Sequence, residues 1–286
     1  MKRRLIAALA LAAGAMAALP AAAITNDWVV DNEHPYVGLV VFYDAEGEFL
    51  WRCSGSLISP TKFVTAGHCT DTAEGAVSAR VWFQQDAGAH YDPATQVDPV
   101  SGYPEFCAAG TLGTLCATST KLYNYGFANF AGFPNTHDAG VLILDQPIAL
   151  PEYGQLPAPG TLDGLGTARG NKKTVFTASG YGLTLSANPK SAVPNISYRS
   201  RLMGRSTLVN LNSFQNDGYN VQTQGNGNDR GGTCSGDSGG PVFLGESSSN
   251  LIVAVNSFGL NALCRGTDFG YRLDRKEVLD WINSRN

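Results

Sequence analysis

The chain has 286 residues, of which only 15% are charged and 33 are glycine, with a formal net charge of −4 at pH 7. A mildly acidic balance argues against nucleic acid or an anionic membrane as partner, and abundant glycine with sparse charge suits a loop-rich all-β protein. Six cysteines (Cys53, Cys69, Cys107, Cys116, Cys234 and Cys264) read in an exported chain as three disulfides, and with no Cys-x-x-Cys pair or clustered His/Cys/Asp set, neither a metal nor a cofactor is expected.

Residues 1–23 read as a signal peptide. Lys2, Arg3 and Arg4 form a basic start, Leu5 to Leu19 an apolar stretch, and Ala21-Ala22-Ala23 a small-residue cleavage site. About 15 apolar residues fall short of the ~20 a spanning helix needs, so the expected product is exported and not membrane-bound. Removing the segment takes away three positive charges and moves the net charge from −4 to −7. Cleavage after Ala23 leaves Ile24-Thr25-Asn26 as the new start.

Strand-like alternation and β-branched runs then dominate, at 37–43, 49–52, 54–58, 63–66 and 77–84. After Gln85 comes a long stretch, reaching to Pro134, that holds Cys107 and Cys116. Further strands are expected at 141–144, 173–179, 240–244, 251–257 and 269–273. Between the two groups, Gln146 to Pro151 followed by Pro157 and Pro159 cannot hold a central strand and reads as a linker. At the end Asp274 and Glu277 form a capping pair for a helix whose Val278, Leu279 and Ile282 share a face beside Trp281.

Three segments carry chemistry. In Gly236-Asp237-Ser238-Gly239-Gly240-Pro241, glycines leave the serine unobstructed and its neighbouring amides free to point at an oxyanion. Taken alone the run also satisfies the Gly-x-Ser-x-Gly elbow of α/β-hydrolases. In that fold the histidine follows the serine, whereas His34, His68, His90 and His137 all precede Ser238. Thr65-Ala66-Gly67-His68-Cys69 offers a histidine among small residues, and His137-Asp138 opens a continuous apolar run that would bury the acid. His34 and His90 read as surface or loop histidines, and His137 as incidental.

His68, Asp138 and Ser238, in that order, resemble the chymotrypsin-like (trypsin-fold) serine endopeptidases. The likeness extends over most of the chain: Cys53-Ser54-Gly55-Ser56-Leu57-Ile58 is similar to the strand before the histidine loop. Ser179-Gly180-Tyr181-Gly182 is similar to a Ser-Gly-Trp-Gly segment, and Ser257-Phe258-Gly259 to the strand on which substrate backbones pair. The resemblance implies two antiparallel six-stranded β-barrels with a C-terminal helix, the first over 24–150 carrying His68 and Asp138, the second over 151–286 carrying Ser238. It implies a disulfide between Cys53 and Cys69; it also marks the stretch from Gln85 to Pro134 as an insertion, which a Cys107–Cys116 pair, without counterpart among the family's common bridges, would staple.

The same resemblance implies a monomeric, secreted endopeptidase acting on proteins or peptides through an acyl-enzyme, with an oxyanion hole from the amides of Gly236 and Ser238. A freed Ile24 ammonium would pair with Asp237, though the family's usual start, Ile-Val-Gly-Gly, is absent; an ordinary surface terminus is the alternative. Gly232 falls at the base of the primary pocket, with Thr233 beside it, where trypsin-like enzymes carry Asp. Asp268 and Phe269 compete for the far wall: the first would attract Arg or Lys, the second small apolar side chains, and the expectation leans to an apolar P1. The alternatives to a peptidase are a catalytically silent binding module and an esterase, both on the same fold.

Overall fold

The structure, a computed structural model, describes residues 24–87, 115–165, 174–184, 200–225, 230–260 and 264–286. The signal-like segment, His90, Cys107 and most of the insertion lie outside the described residues. The chain starts with two short strands, β1 (Thr25–Asn26) and β2 (Trp28–Val30), then enters a first sheet. That sheet comprises β3 (Val37–Tyr43), β4 (Phe49–Leu57), β5 (Lys62–Thr65), β6 (Ser78–Trp82), β7 (Cys116–Ser119), β8 (Lys121–Asn124) and β9 (Gly140–Ile143). The order β7-β6-β3-β4-β5-β9-β8, antiparallel throughout, curls it into a nearly closed barrel.

A second barrel is built from β10 (Val175–Gly180), β11 (Leu202–Asn210), β12 (Asn220–Gln224), β14 (Pro241–Leu244), β15 (Ile252–Gly259) and β16 (Thr267–Arg272), in the order β10-β14-β15-β16-β12-β11. Pairing of β10 with β11 closes it. β2 adds to its outside on β11, and β1 pairs with the two-residue β13 (Gly231–Gly232). The first residues of the described chain therefore lie against the second barrel. Antiparallel closure removes exposed sheet edges, and the period-two side-chain alternation sends one face of each strand inward.

Tyr36, Phe42, Phe63 and Trp82 from the first barrel join Phe243, Ile252 and Tyr271 from the second in one apolar core, with Val278 and Ile282 of the terminal helix packed onto it. Each such large side chain stabilises the fold by roughly 2–3 kcal/mol on burial. That shared core fixes the barrels against each other and holds the cleft between them in one geometry. Among the described residues no helix is long and apolar enough to cross a membrane.

The helix α1 spans Lys276–Asn283 and buries Val278, Leu279 and Ile282 as expected, but its start is corrected. Its N-cap is Arg275, which makes no side-chain capping bond. Asp274 is drawn off by stronger partners: Arg272 donates to both its oxygens at 2.8 and 2.7 Å, and the Leu162 amide donates at 2.7 Å. A buried, charge-assisted pair outcompetes an exposed cap.

Candidate active site

His68 follows β5 in a turn whose Cys69 bonds to Cys53 of β4. This bridge ties the histidine turn to the neighbouring strand. Asp138 precedes β9, the partner of β5, so strand pairing brings acid and imidazole together across 70 residues of sequence. Asp138 is fully buried and spends its carboxylate on three donors. The His68 backbone amide donates to Oδ1 at 2.8 Å, and His68 Nδ1 lies 2.9 Å from Oδ2 and 3.1 Å from Oδ1. The third donor is the Ser257 hydroxyl, to Oδ2. Ser257 thus has a role beside the acid that the sequence reading, which gave it only to substrate, missed.

Held at both amide and ring, His68 is locked in orientation with Nε2 directed away from the acid. Burial disfavours charge on the ring, yet the charge and hydrogen bond of Asp138 outweigh it and hold His68 above its ordinary value. The ring packs against Phe127 at 5.7 Å between centroids, and Phe127 meets Phe130 edge-on at 5.3 Å. These aromatics were not singled out from sequence; the only signal was the aromatic-rich, glycine-broken run from Tyr123 to Phe133.

Ser238 sits in a tight turn before β14, with Cys234 bonded to Cys264 on the far side. Gly239 has φ of 75°, and a Cβ there would stand 2.0 Å from Thr65 Oγ1. Only glycine lets the serine turn press against the histidine strand. Ser54 braces the same turn: its amide donates to the Ser238 carbonyl at 2.8 Å and its hydroxyl to the Gly236 carbonyl at 2.8 Å. Ser238 and His68 line one cavity together with Trp51, Ser257 and Phe127. Among the described residues the amides of Gly236 and Ser238 have no acceptor, so both donors remain available to a ligand.

Asp237 points away, into the second barrel. It accepts from the amides of Gly182 at 2.8 Å and Cys234 at 3.0 Å, and from the backbone of Ile24. The approach of Gly182 is so close that a Cβ there would lie 2.6 Å from Asp237 Cγ. Burial drives the Asp237 carboxyl up to about 7, against those amides, and the charge of Asp268 adds to the rise. Ile24 itself is fully buried with Ala178 and Leu202.

The remaining pocket residues separate. Thr233, Ser257, Phe258, Gly259 and Asp268 line a second cavity that also touches Ser238. Gly232 lies behind it, on β13, with Asp268 Oδ2 close by. Phe269 is buried and stacks on Phe258 at 4.5 Å, so of the two competitors Asp268 is the one on the cavity wall. His34 is corrected: it is buried, with Nδ1 2.9 Å from Asp31 and Nε2 3.1 Å from the Ser249 carbonyl, because the inter-barrel core closes over it. Cys53, Cys69, His68 are the one metal-like grouping among the described residues, and two of the three are in a disulfide.

A family model described as Trypsin matches residues 23–282. The chain is 30% identical over 267 residues to brachyurin of Leptuca pugilator, covering 90% of this chain and 95% of that one. It is 26% identical to serine protease 1 of Drosophila melanogaster, covering 91% and 84%. It is 25% identical to CLIP domain-containing serine protease B10 of Anopheles gambiae, covering 91% and 68%. Among solved structures, one titled HL collagenase superposes with a TM-score of 0.60 at 18% identity, over 89% of this chain and 94% of the other, a likeness of fold.

Proposed function

Because the chain belongs to the trypsin family of serine proteases, we propose that it is a secreted serine endopeptidase that hydrolyses peptide bonds in proteins or peptides through Ser238, His68 and Asp138. Ser238 attacks the scissile carbonyl as His68 Nε2 takes its proton; without such a base a serine hydroxyl is a poor nucleophile. The carbonyl oxygen becomes an oxyanion between the amides of Gly236 and Ser238, where one donor is worth roughly 3 kcal/mol in the transition state. His68 then returns the proton to the leaving amine, which departs and leaves an acyl-enzyme on Ser238. Water, activated by the same imidazole, releases the acid. Asp138 holds the ring by Nδ1 and stabilises the imidazolium without taking the proton.

The observation that carries the reading is the double hold of Asp138 on His68, at amide and ring, inside a cavity shared with Ser238. Among the described residues no hydrogen bond joins the Ser238 and His68 side chains, a contact that commonly tightens with substrate. Signal peptidase, cutting after Ala23, frees the Ile24 ammonium to pair with Asp237, which orders the oxyanion amides. The enzyme works as a monomer outside the cell, with peptides as its partners and no cofactor.

The test is cleavage of peptide amides by protein secreted with its own leader, with Ser238→Ala as control. Cleavage lost in the control is the expected result. Correctly processed, folded protein with no Ser238-dependent cleavage would sink the reading in favour of a silent binding module.

A further inference from the structure

Asp138 hangs from a segment of the first barrel that is gripped by the second. Asn220 and Tyr271 sit directly opposite each other on β12 and β16, so their side chains share one face of the sheet. Both reach that segment. Asn220 Nδ2 donates to the Pro134 carbonyl at 2.9 Å, and the Tyr271 hydroxyl donates to Asn135 Oδ1 at 2.9 Å. Burial raises the Tyr271 phenol well above its ordinary value, which keeps it a donor. With Oδ1 turned to Tyr271, the Asn135 amide N–H faces His137 Nε2 at 3.3 Å. That nitrogen accepts, and the network assigns the ring proton of His137 to Nδ1. His137, incidental by sequence, is therefore the end of a hydrogen-bond chain that begins in the core of the second barrel.

What the chain holds is a backbone. His137 has φ of 53°, in the left-handed region where a residue with a side chain is strained and glycine is not. The Ala139 amide donates to the His137 carbonyl at 2.9 Å, closing a three-residue turn with Asp138 at its apex. The direction of the Asp138 side chain thus follows from the backbone at His137, and an anchored ring keeps that backbone in place. The ring packs against Tyr125 at 5.4 Å between centroids, and Tyr125 packs on Trp281 at 5.1 Å. A swing of His137 to ordinary φ would turn Asp138 away from the His68 amide and Nδ1, which lie 2.8 and 2.9 Å from its oxygens.

We propose that Tyr271, Asn135 and His137 are positioning residues for Asp138: their hydrogen-bond chain keeps the turn at His137 left-handed and so holds the carboxylate on His68. The proposal rests on the endopeptidase reading above. It has the second barrel, which carries the nucleophile, also aim the acid carried by the first. None of the three residues lines the cavities beside Ser238, so losing the chain leaves the substrate-binding surface in place. The effect falls on the chemical step and on the imidazole, and not on affinity.

The experiment measures kcat, KM and the pH profile of kcat/KM on one peptide amide, well below each protein's melting temperature. The variants are Tyr271→Phe, Asn135→Ala, His137→Ala and His137→Gly. Tyr271→Phe keeps the buried ring and removes only the hydroxyl. Asn135 and His137 are half-buried, so their variants carry the test even if that core change unfolds the protein. In Tyr271→Phe, Asn135→Ala and His137→Ala, kcat is expected to fall about tenfold with KM unchanged. Against burial, the charge and hydrogen bond of Asp138 raise His68, so a loosened Asp138 moves the acid limb of kcat/KM to lower pH in the same three. Glu74, the other acid that raises His68, stays in place throughout. His137→Gly adopts the left-handed turn without an anchor and should regain activity over His137→Ala. A merely structural chain lowers the melting temperature but leaves kcat and the acid limb at their wild-type values. That result overturns the proposal, as does His137→Gly no more active than His137→Ala. Absence of Ser238-dependent cleavage by the wild-type protein overturns the endopeptidase reading instead.

Discussion

Extending the mature chain by one residue before Ile24 is the sharpest perturbation available. With an amide in place of an ammonium, the Asp237 carboxyl sits at about 7 against an ordinary 3.8. That gap corresponds to roughly 4 kcal/mol for an ionised Asp237 at neutral pH. The extended chain also keeps Ile24 at φ of 70°, a strained value for a β-branched residue, whereas a freed terminus has no preceding carbonyl to clash. A folded-state carboxyl held high means the extended form is unpenalised below the unfolded value near 4 and loses stability as pH rises towards 7. The melting-temperature gap between extended and Ile24-start proteins is thus expected to open across that interval, reaching roughly 10 °C. If Asp237 swings out instead, the gap closes but the oxyanion amides lose their brace. In either case kcat/KM for a peptide amide at neutral pH falls by about a hundredfold or more. Equal activity from the two proteins, with intact mass confirming the extra residue, refutes the pairing.

Asp138→Asn keeps the shape of the site but supplies the wrong hydrogen-bond partner to Nδ1, so kcat should fall by roughly 10⁴ with little change in melting temperature; steady-state kinetics on a peptide amide decide it. Because Asp138 outweighs burial and holds His68 above its ordinary 6.5, the acid limb of kcat/KM for an apolar-P1 substrate should bend above that value; a limb centred well below it counts against His68 as the base. Gly239→Ala puts a methyl 2.0 Å from Thr65 Oγ1 at φ of 75°, and should lower stability by at least about 2 kcal/mol in a denaturant titration while abolishing cleavage. Asp237→Asn in a correctly processed chain leaves β1 paired to β13, so steady-state kinetics on a peptide amide should show kcat dropping far more than KM rises.

Much of this candidate site was legible in the chain because the proposed catalysis calls for residue types that local sequence displays. Glycines around Ser238, small residues before His68 and an acid at the head of the buried strand Gly140–Ile143 each leave a local mark. Strands with β-branched runs, such as Val37–Tyr43, declared themselves in the same way. Strands β11 and β12 did not: LMGRSTLVN is broken by Gly204 and Arg205, and NVQTQ is polar, yet Asn220, Gln222 and Thr223 are buried. Their polar side chains are answered by partners distant in sequence, as where Asn220 donates to the Pro134 carbonyl. Periodicity cannot see such partners. The same holds for Asp274, a capping residue by spacing that a buried arginine claims, and for His34, polar by type and interred by the meeting of two barrels. Ser257 carried its signal only through resemblance, and its bond to Asp138 spans 119 residues.

The N-terminal residues give the proposed activation its physical logic, since they form a closed circuit. Ile24 meets Asp237, and Thr25 pairs with Gly232 and donates to its carbonyl at 3.2 Å. Asp27 donates its amide to the Arg230 carbonyl at 3.1 Å, and Trp28–Val30 add to β11. Asp31 then accepts from Ser179 Oγ at 2.5 Å. Ser179 lies on the strand that leads to Gly182, whose amide returns to Asp237. Every link is weak alone, a strand pair or a single hydrogen bond of about 1 kcal/mol, but the ends meet on the buried carboxylate of Asp237, next to Ser238. A terminus that fails to seat therefore loosens β13 and, on the proposed reading, the amides of Gly236 and Ser238 together. On the proposed reading, substrate selection and bond cleavage both depend on one event, the removal of whatever precedes Ile24, and the chain stays silent until that cut has been made.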